Sequence, residues 1–367
     1  MPECKYYREK AGSPMSLMND TRHPRQMPVS LTAIFMTLSA LGMLISAVGN
    51  SLIFLAMYKA RPLRTPANYL LVSMSFASFM LIPVMATYTF SLTKSERDPL
   101  MPDLCSWSSE VDFGIFCVVM AHLATISLDR LVAIKMPMRY PALATNKNIA
   151  GLIVFLWIMG TLEGSFAKII RSIDKKRGSI LLELLYGCLQ SNKIPKEDEV
   201  KDVVPHFLAL MSLVVFVPSV IMLVTHALIF KISLKQYRCI RAVQDAVGQK
   251  RLNEIRAAKT VAIMVFSALA CFSPLLAVNF ITIFEPPTSR RGLDTSQFNV
   301  KYILFPSLKI LTLWAMCFNP LLYALKSRPF RKALKRISEN AGISFSKRRN
   351  FEVKPKAANN HTSSSAT

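Results

Sequence analysis

The chain has 367 residues, of which 52% are hydrophobic and 18% charged, and its formal net charge is +23. Because the apolar residues come in blocks of membrane-spanning length, this composition excludes an ordinary soluble domain. The basic residues stand in short linkers between these blocks and in the tail, where the positive-inside rule places them, so we expect no nucleic acid as a partner.

Residues 1–28 form a polar segment that lacks the apolar core of a cleavable signal peptide. We therefore expect the first apolar block to direct the chain into the membrane. Asn19, in Asn19-Asp20-Thr21, is a candidate glycosylation site if this end is extracellular, and a chance Asn-x-Thr is the alternative. Basic residues in the segment oppose an outside N-terminus, so the orientation rests on the later loops.

Seven apolar blocks follow, each long enough to cross a bilayer as a helix. They cover approximately residues 29–57, 65–92, 105–140, 148–170 and 203–234, a block around Cys271 and Pro274, and residues 300–323. The basic loop at 59–66 is predicted to be cytoplasmic. The linker at 235–251 is predicted to extend the fifth and sixth helices, and residues 328–337 alternate apolar and basic residues at helical spacing.

Several charged residues lie inside the predicted spans, where an ion is costly unless it faces protein or water. Asp112 lies in the first half of the third block, and Asp129 with Arg130 lies near its end. Glu163 lies in the fourth block and Lys309 in the seventh. Charged residues at such positions are more often functional than accidental, although a polar contact between helices is the alternative.

Together with other motifs, the third block resembles the rhodopsin-like (class A) G-protein-coupled receptors. The motifs that carry the resemblance are Gly49-Asn50, Asn68, Cys105 with Cys188, Asp129-Arg130, Trp157, Pro218, Cys271 with Pro274, and Asn319-Pro320 with Tyr323. With these motifs, the resemblance covers the chain from about residue 46 to residue 337. A seven-span transporter or channel would share the hydropathy but not these motifs. Because no catalytic motif is recognisable, we expect neither an enzyme nor a cofactor.

The resemblance implies an all-α membrane protein, a seven-transmembrane helix bundle with a short amphipathic eighth helix. Residues 1–28 would be extracellular, 29–323 the receptor domain, 324–338 the eighth helix on the membrane lipid, and 339–367 a disordered cytoplasmic tail. It also implies the plasma membrane, an extracellular ligand and a heterotrimeric G protein. The run from Thr362 to Thr367 would recruit arrestin once phosphorylated, with a plain disordered end as the alternative.

The same resemblance implies how such a receptor would be switched. It assigns the activation switch to Asp129, Arg130, Glu254, Phe272, Pro274, Asn319, Pro320 and Tyr323. Arg130 would be held inactive by Asp129 and Glu254. The sixth helix would then swing outward about the kink that Pro274 produces, and Phe272 stands where the family usually has a tryptophan.

Two structural ties are also implied by the resemblance. Asn50 would join the first helix to the second and seventh, because a polar side chain at mid-membrane usually bonds a neighbouring helix. A disulfide between Cys105 and Cys188 would pin the loop between the fourth and fifth spans over the bundle. Such a bridge closes a long chain loop and would contribute about 2–5 kcal/mol.

The sequence departs from the family at its sodium site. Ser78 stands where the family has an acid that anchors the ion, and the partner positions are Val119, Ala315 and Met316. Because all three partner positions are apolar, we expect packing in place of the ion and no allosteric effect of sodium.

Four residues are candidates for ligand binding: Asp112, Lys309, Asn279 and Glu163. In amine receptors an acid at the place of Asp112 pairs with the ligand ammonium, and a structural ion pair with Lys309 is the alternative. Leu275 and Leu276 replace the two aromatic residues that cage the ammonium in those receptors. An acidic run at 197–199 could attract a basic peptide. The missing aromatic cage, the acidic run and Lys309 favour a neuropeptide ligand. Asp112 favours the alternative, a biogenic amine or another small molecule bound at this acid.

Lys309 also raises the question of a retinal photoreceptor, in which a lysine of the seventh helix carries the chromophore. Counted from Pro320, that position is Leu313, and Lys309 lies one turn earlier. We therefore expect Lys309 to pair with Asp112 or to meet a ligand carboxylate.

Overall fold

The computed structural model describes residues 28–91, 93, 101–175, 177, 197–240, 246–284 and 303–340, and these residues are helical apart from short connections. The principal helices are α1 (Val29–Lys59), α2 (Pro66–Ser91), α3 (Met101–Lys135), α4 (Asn146–Gly164), α5 (Glu197–Met211, continued by Ser212–Phe216 and Val217–Ile240), α6 (Ala246–Phe284), α7 (Phe305–Lys326) and α8 (Arg328–Asn340). Within the described residues, seven helices, α1 to α7, are long and apolar enough to cross a membrane. This confirms the predicted fold class.

Helix α3 lies at the centre of the bundle. It contacts α2, α4, α5 and α6, and 72% of its apolar stretch is buried inside the protein, against 22% for α1 and for α4. The large exposed apolar side chains of α1 and α4, such as Leu44 and Phe155, mark the surfaces that face lipid. Three of the residues predicted to carry the function, Asp112, Asp129 and Arg130, therefore lie on this central helix.

Helices α3 and α4 meet backbone to backbone. Gly160 and Gly164, four residues apart on α4, face Gly114 of α3. A Cβ atom added at Gly164 would lie 2.6 Å from the Gly114 Cα, and one added at Gly160 would lie 2.3 Å from Val118 Cγ2. Small residues at this spacing let membrane helices approach closely, because no hydrophobic effect drives them together in lipid.

Helix α4 ends earlier than the sequence suggested. It begins at Asn146, capped by the Thr145 hydroxyl, which accepts a hydrogen bond from the Asn148 backbone N–H at 3.2 Å. It ends at Gly164, and a separate short helix, Phe166–Ile173, follows Ser165. Hydropathy alone continues across this break, which is why the predicted span ran to residue 170.

Prolines interrupt three of the spans at positions that the sequence had singled out. Pro218 follows a π-helical turn, Ser212–Phe216, within α5. Pro274 lies inside α6 and Pro320 inside α7. Each proline lacks a backbone N–H and so removes one hydrogen bond of its helix, which leaves a local point of bending.

Helix α8 is amphipathic, as predicted. Ser327 is extended and separates it from α7. Phe330 and Ala333 are buried, and the Phe330 ring packs edge-on against Tyr323 with the ring centroids 6.0 Å apart. The basic residues Arg331 and Lys332 are exposed, which suits a helix lying on an anionic leaflet.

A small polar centre joins α1, α2 and α7. The Ser78 hydroxyl donates to the Met316 carbonyl at 2.8 Å, and the Ser46 hydroxyl donates to the Ser78 carbonyl at 3.2 Å. The Asn50 amide donates to the Ser46 carbonyl of its own helix at 2.9 Å. The expected tie between these helices is therefore made by the two serines, and the direct bond from Asn50 to α2 or α7 is not among the contacts of the described residues.

We expect Gly164→Ala to lower the free energy of unfolding by about 1–3 kcal/mol, because the added methyl meets the backbone of α3, which cannot move aside. The measurement is the thermal melting of the purified receptor, together with its surface expression in transfected cells. Gly151→Ala is the matched control, since a Cβ there has nothing within 4 Å. Equal melting temperatures for the two variants would contradict the close contact.

We expect the melting temperature of the purified receptor to be the same in sodium chloride and in choline chloride at equal concentration. Ser78 is uncharged, and Val119, Ala315 and Met316 are buried and apolar, so there is no carboxylate at this place to hold the ion. Ser78→Asp should gain a sodium-specific rise, because a buried carboxylate needs a counter-ion, and Ser78→Asn should not. A sodium-specific shift of the unmodified protein would refute the expectation.

Candidate functional site

A cavity of about 60 Å³ lies among α3, α5, α6 and α7, at the end of the bundle opposite α8. Its walls are mostly aromatic and aliphatic, with two charged side chains at one side. The lining residues are Asp112, Phe113 and Phe116 of α3, Phe207 and Met211 of α5, Phe272, Leu275 and Leu276 of α6, and Lys309, Thr312 and Met316 of α7. A concave apolar site with a few polar groups is the usual form of a small-molecule site.

Asp112 and Lys309 form an ion pair across this cavity. The Lys309 ammonium donates to Asp112 Oδ2, and the two side chains are 19% and 7% exposed respectively. The other carboxylate oxygen, Asp112 Oδ1, is buried and has no hydrogen-bond partner in the described part of the chain. The pairing that the sequence allowed is therefore present, and it leaves one acceptor of the carboxylate unsatisfied.

Aromatic rings form the floor of the cavity. Phe272 is buried and packs edge-on against Phe116 with the ring centroids 5.0 Å apart, which joins α6 to α3. Phe113 stacks on Phe116 at 6.2 Å, and Phe207 meets Phe280 of α6 at 5.9 Å. Phe116 and Phe207 were not foreseen as site residues, because an aromatic residue in an apolar span carries no signal of the face that it occupies.

Of the other two candidate ligand residues, Glu163 is not among the described residues that line the cavity. Glu163 lies one residue before the end of α4, is half-buried, and lies close to the Cys117 thiol of α3. Asn279 lies in α6, but its side chain is outside the described part of the structure. Of the four candidates, the structure brings Asp112 and Lys309 together and leaves Glu163 apart from them.

Three other sequence-based expectations fall outside the described residues. Cys105 lies in α3, but its side chain is not described, and Cys188 belongs to the part of the chain that the structure does not describe. The disulfide between them therefore stays a prediction. The same holds for glycosylation at Asn19 and for the run from Thr362 to Thr367.

At the opposite end of α3, the Asp129 carboxylate is held at both oxygens. Arg130 Nε donates to Asp129 Oδ2 at 3.0 Å, and the Tyr140 hydroxyl donates to Asp129 Oδ1 at 2.8 Å. Tyr140 begins the short helix Tyr140–Leu143, and nothing in its sequence surroundings pointed to this contact. Glu254, the other expected partner of Arg130, lies in α6 with its side chain outside the described part.

The remaining switch residues lie along α7. Asn319 is fully buried, and its side-chain amide has no hydrogen-bond partner among the described residues. It directly precedes Pro320, whose ring removes a backbone hydrogen bond in the same turn. Tyr323, one turn later, packs against Phe330 of α8. The three residues thus lie where α7 leaves the bundle core and α8 begins.

Arg130 also lines a second, larger cavity at this end of the bundle, of about 1610 Å³. Its described lining contains no Asp or Glu and is rich in basic side chains. These are Lys59, Arg61, Arg130, Arg256, Lys259, Lys326, Arg328, Arg331, Lys332 and Arg336. A concave site with one sign of charge concentrates an oppositely charged partner, so this cavity suits a segment that carries negative charge.

Comparison with known proteins identifies the family. The family model described as 7 transmembrane receptor (rhodopsin family) matches residues 49–323. The chain is 26% identical to adenosine receptor A2b of Rattus norvegicus over 323 residues, which are 83% of this chain and 90% of that receptor. It is 26% identical to trace amine-associated receptor 1 of Mus musculus over 316 residues, 82% of this chain and 87% of that receptor. It is 27% identical to the histamine H2 receptor of Rattus norvegicus over 321 residues, which are 85% of this chain and 80% of that receptor. The chain therefore belongs to the rhodopsin family of seven-transmembrane, G-protein-coupled receptors.

Proposed function

We propose that this G-protein-coupled receptor binds a small extracellular molecule in the cavity between α3, α5, α6 and α7, and that binding activates a heterotrimeric G protein. The main observation behind the proposal is the cavity itself. It has aromatic walls and an ion pair in which one carboxylate oxygen, Asp112 Oδ1, has no hydrogen-bond partner among the described residues. Receptors for adenosine, trace amines and histamine are among its relatives, and all of these are small molecules. They favour the small-molecule alternative over the neuropeptide that the sequence analysis preferred.

The dimensions of the cavity support the same choice. It is bounded by side chains from four helices and measures about 60 Å³, below the roughly 300–1,000 Å³ of most ligand pockets. Even a compact group therefore needs these side chains to move apart, and a larger ligand would need more movement still. A peptide would instead need wide contact with the loops. The acidic run at 197–199, which suggested a basic peptide, begins α5, and its side chains are outside the described part of the structure.

The signal would pass from the cavity through α6. Phe272 lies in the cavity wall against Phe116, two residues before Pro274. A ligand that displaces the Phe272 ring would bias α6 towards a second arrangement, bent about Pro274. Outward movement of the far end of α6 would widen the basic cavity and free Arg130 from its restraints at Asp129 and Glu254.

The G-protein α subunit would then enter the basic cavity. A helix that enters by its C-terminus presents the negative end of its dipole and a row of unpaired carbonyl groups. Arg130 and the surrounding basic side chains would complement that charge. The concentration of basic residues at this end also supports a cytoplasmic position for it, with the N-terminus outside and the C-terminus inside the plasma membrane.

The test of this function is a second-messenger screen in transfected cells, with nucleosides, biogenic amines and amidated peptides side by side. We expect a small molecule to raise the signal. Arg130→Ala should abolish the signal at matched surface expression while ligand binding persists, because Arg130 lies in the basic cavity and not in the ligand cavity. A response to peptides alone would restore the neuropeptide interpretation.

We expect Glu254→Lys to raise basal signalling several-fold, because a like charge facing Arg130 would repel it and favour the open arrangement. Glu339→Lys is the matched control. It makes the same charge change on α8, where Glu339 is exposed and pairs with Lys335 at 3.7 Å. Basal output of Glu254→Lys equal to that of the control would count against the restraint between Arg130 and Glu254.

A further inference from the structure

We propose that the ion pair between Asp112 and Lys309 makes the ligand cavity select an uncharged molecule that donates a hydrogen bond, and that Lys309 excludes cationic amines. The inference rests on the proposed function, since it takes this cavity to be the ligand site. It goes further by naming the class of ligand and the residue that sets it.

The first argument is charge balance. Lys309 already neutralises Asp112, and among the described residues that line the cavity Asp112 is the one carboxylate. A ligand ammonium could reach Asp112 only by displacing Lys309, whose own ammonium would then stand unpaired among apolar side chains. A ligand carboxylate would strand Asp112 in the same way. Separating a buried ion pair is strongly unfavourable, so the cavity disfavours either ion.

The second argument is the unsatisfied acceptor. Asp112 is buried, and its Oδ1 atom has no hydrogen-bond partner among the described residues, although Oδ2 is bound by Lys309. Buried polar atoms in native proteins nearly always have a partner, so this one is an unused recognition point. A hydroxyl, an amide N–H or a ring N–H of a ligand can donate to Oδ1 without separating the ion pair.

Among the described lining residues, the other polar group is the Thr312 hydroxyl, which can accept a hydrogen bond from a ligand but has no proton left to donate. Thr312 donates its hydroxyl to the Leu308 carbonyl of its own helix at 2.9 Å. Its single proton is therefore used. The remaining walls are aromatic or aliphatic and offer a ring several faces and edges, from Phe116, Phe207 and Phe272 among others. The ligand class that this lining favours is a compact aromatic or heteroaromatic molecule with an uncharged donor. Because the cavity of about 60 Å³ is smaller than such a ring requires, the lining side chains have to move apart to admit it.

Three probes that differ only in their end group test this selection: 2-phenylethanol, 2-phenylethylamine and phenylacetate. The first is an uncharged donor, the second a cation and the third an anion at neutral pH. Each is added at saturating concentration to the purified full-length receptor, and the change in melting temperature is measured. For the unmodified protein we expect the alcohol to give the largest rise, roughly 5 °C.

The variants should redirect the preference. Lys309→Met has a side chain of similar length without the charge, so Asp112 is left alone and the amine should become the most stabilising probe. Asp112→Asn leaves Lys309 alone and should favour phenylacetate. The double variant Asp112→Asn with Lys309→Met is uncharged and should favour neither ion. Lys309→Arg keeps the ion pair and should keep the preference for the alcohol.

The inference is overturned if the amine stabilises the unmodified receptor more than the alcohol does, or if Lys309→Met gains nothing from the amine. If Lys309→Met does not fold, Asp112→Asn and the double variant decide, and a phenylacetate response equal in the two overturns the inference. Melting temperature reports binding without a G protein. The expected order of the three probes in melting temperature can therefore be wrong while a small molecule still produces a second messenger, which would refute this inference but not the proposed function. The order can also be right while no second messenger is produced, which would refute the proposed function but not this inference.

Discussion

The hydrocarbon core of a membrane offers no hydrogen-bond partners, so each polar group inside the seven spans has to be satisfied by the protein itself. Some hydroxyl groups do this within their own helix, as Thr125 does by donating to the Ala121 carbonyl at 2.8 Å, and others, such as Ser46 and Ser78, do it between helices. Charged groups do it between helices, as Asp112 and Lys309 do. Within the part of the chain that the structure describes, Asp112 Oδ1 and the Asn319 amide are buried without a partner, and these are points where a ligand or another external partner gains most.

The sequence predicted those features that follow directly from the free-energy cost of placing polar or charged groups in the membrane. Seven spans follow from hydropathy, and the pairing of Asp112 with Lys309 follows because a lone ion in a span is expensive. The end of α4 at Gly164 and the contact of Tyr140 with Asp129 depend on how closely helices approach in space. Neither has a local signature. Phe113, Phe116 and Phe207 of the cavity wall were not predicted for a related reason: apart from a few charged positions, every face of these spans is apolar, so periodicity does not identify the inward one.

The residues of the chain alone do not decide between a peptide and a small molecule as the ligand. Leu275 and Leu276 replace the aromatic cage of amine receptors, which argues against an amine and is one of the features that favour a peptide. Both residues line the cavity beside the ion pair. There they are equally suited to contact the apolar part of an uncharged small molecule. The missing cage therefore argues against an amine, but it does not distinguish a peptide from another small molecule. The relatives add the information that the residues did not contain.

The glycine contact between α3 and α4 has a consequence for how the bundle moves. Side chains that pack against each other, such as Phe116 and Phe272, can change rotamer and let two helices slide. Where backbones touch, as at Gly114 and Gly164, there is no such layer to deform. Helices α3 and α4 should therefore behave as a single stiff unit, a fixed frame that leaves the opposite side of the bundle, with α5 and α6, as the part free to be displaced.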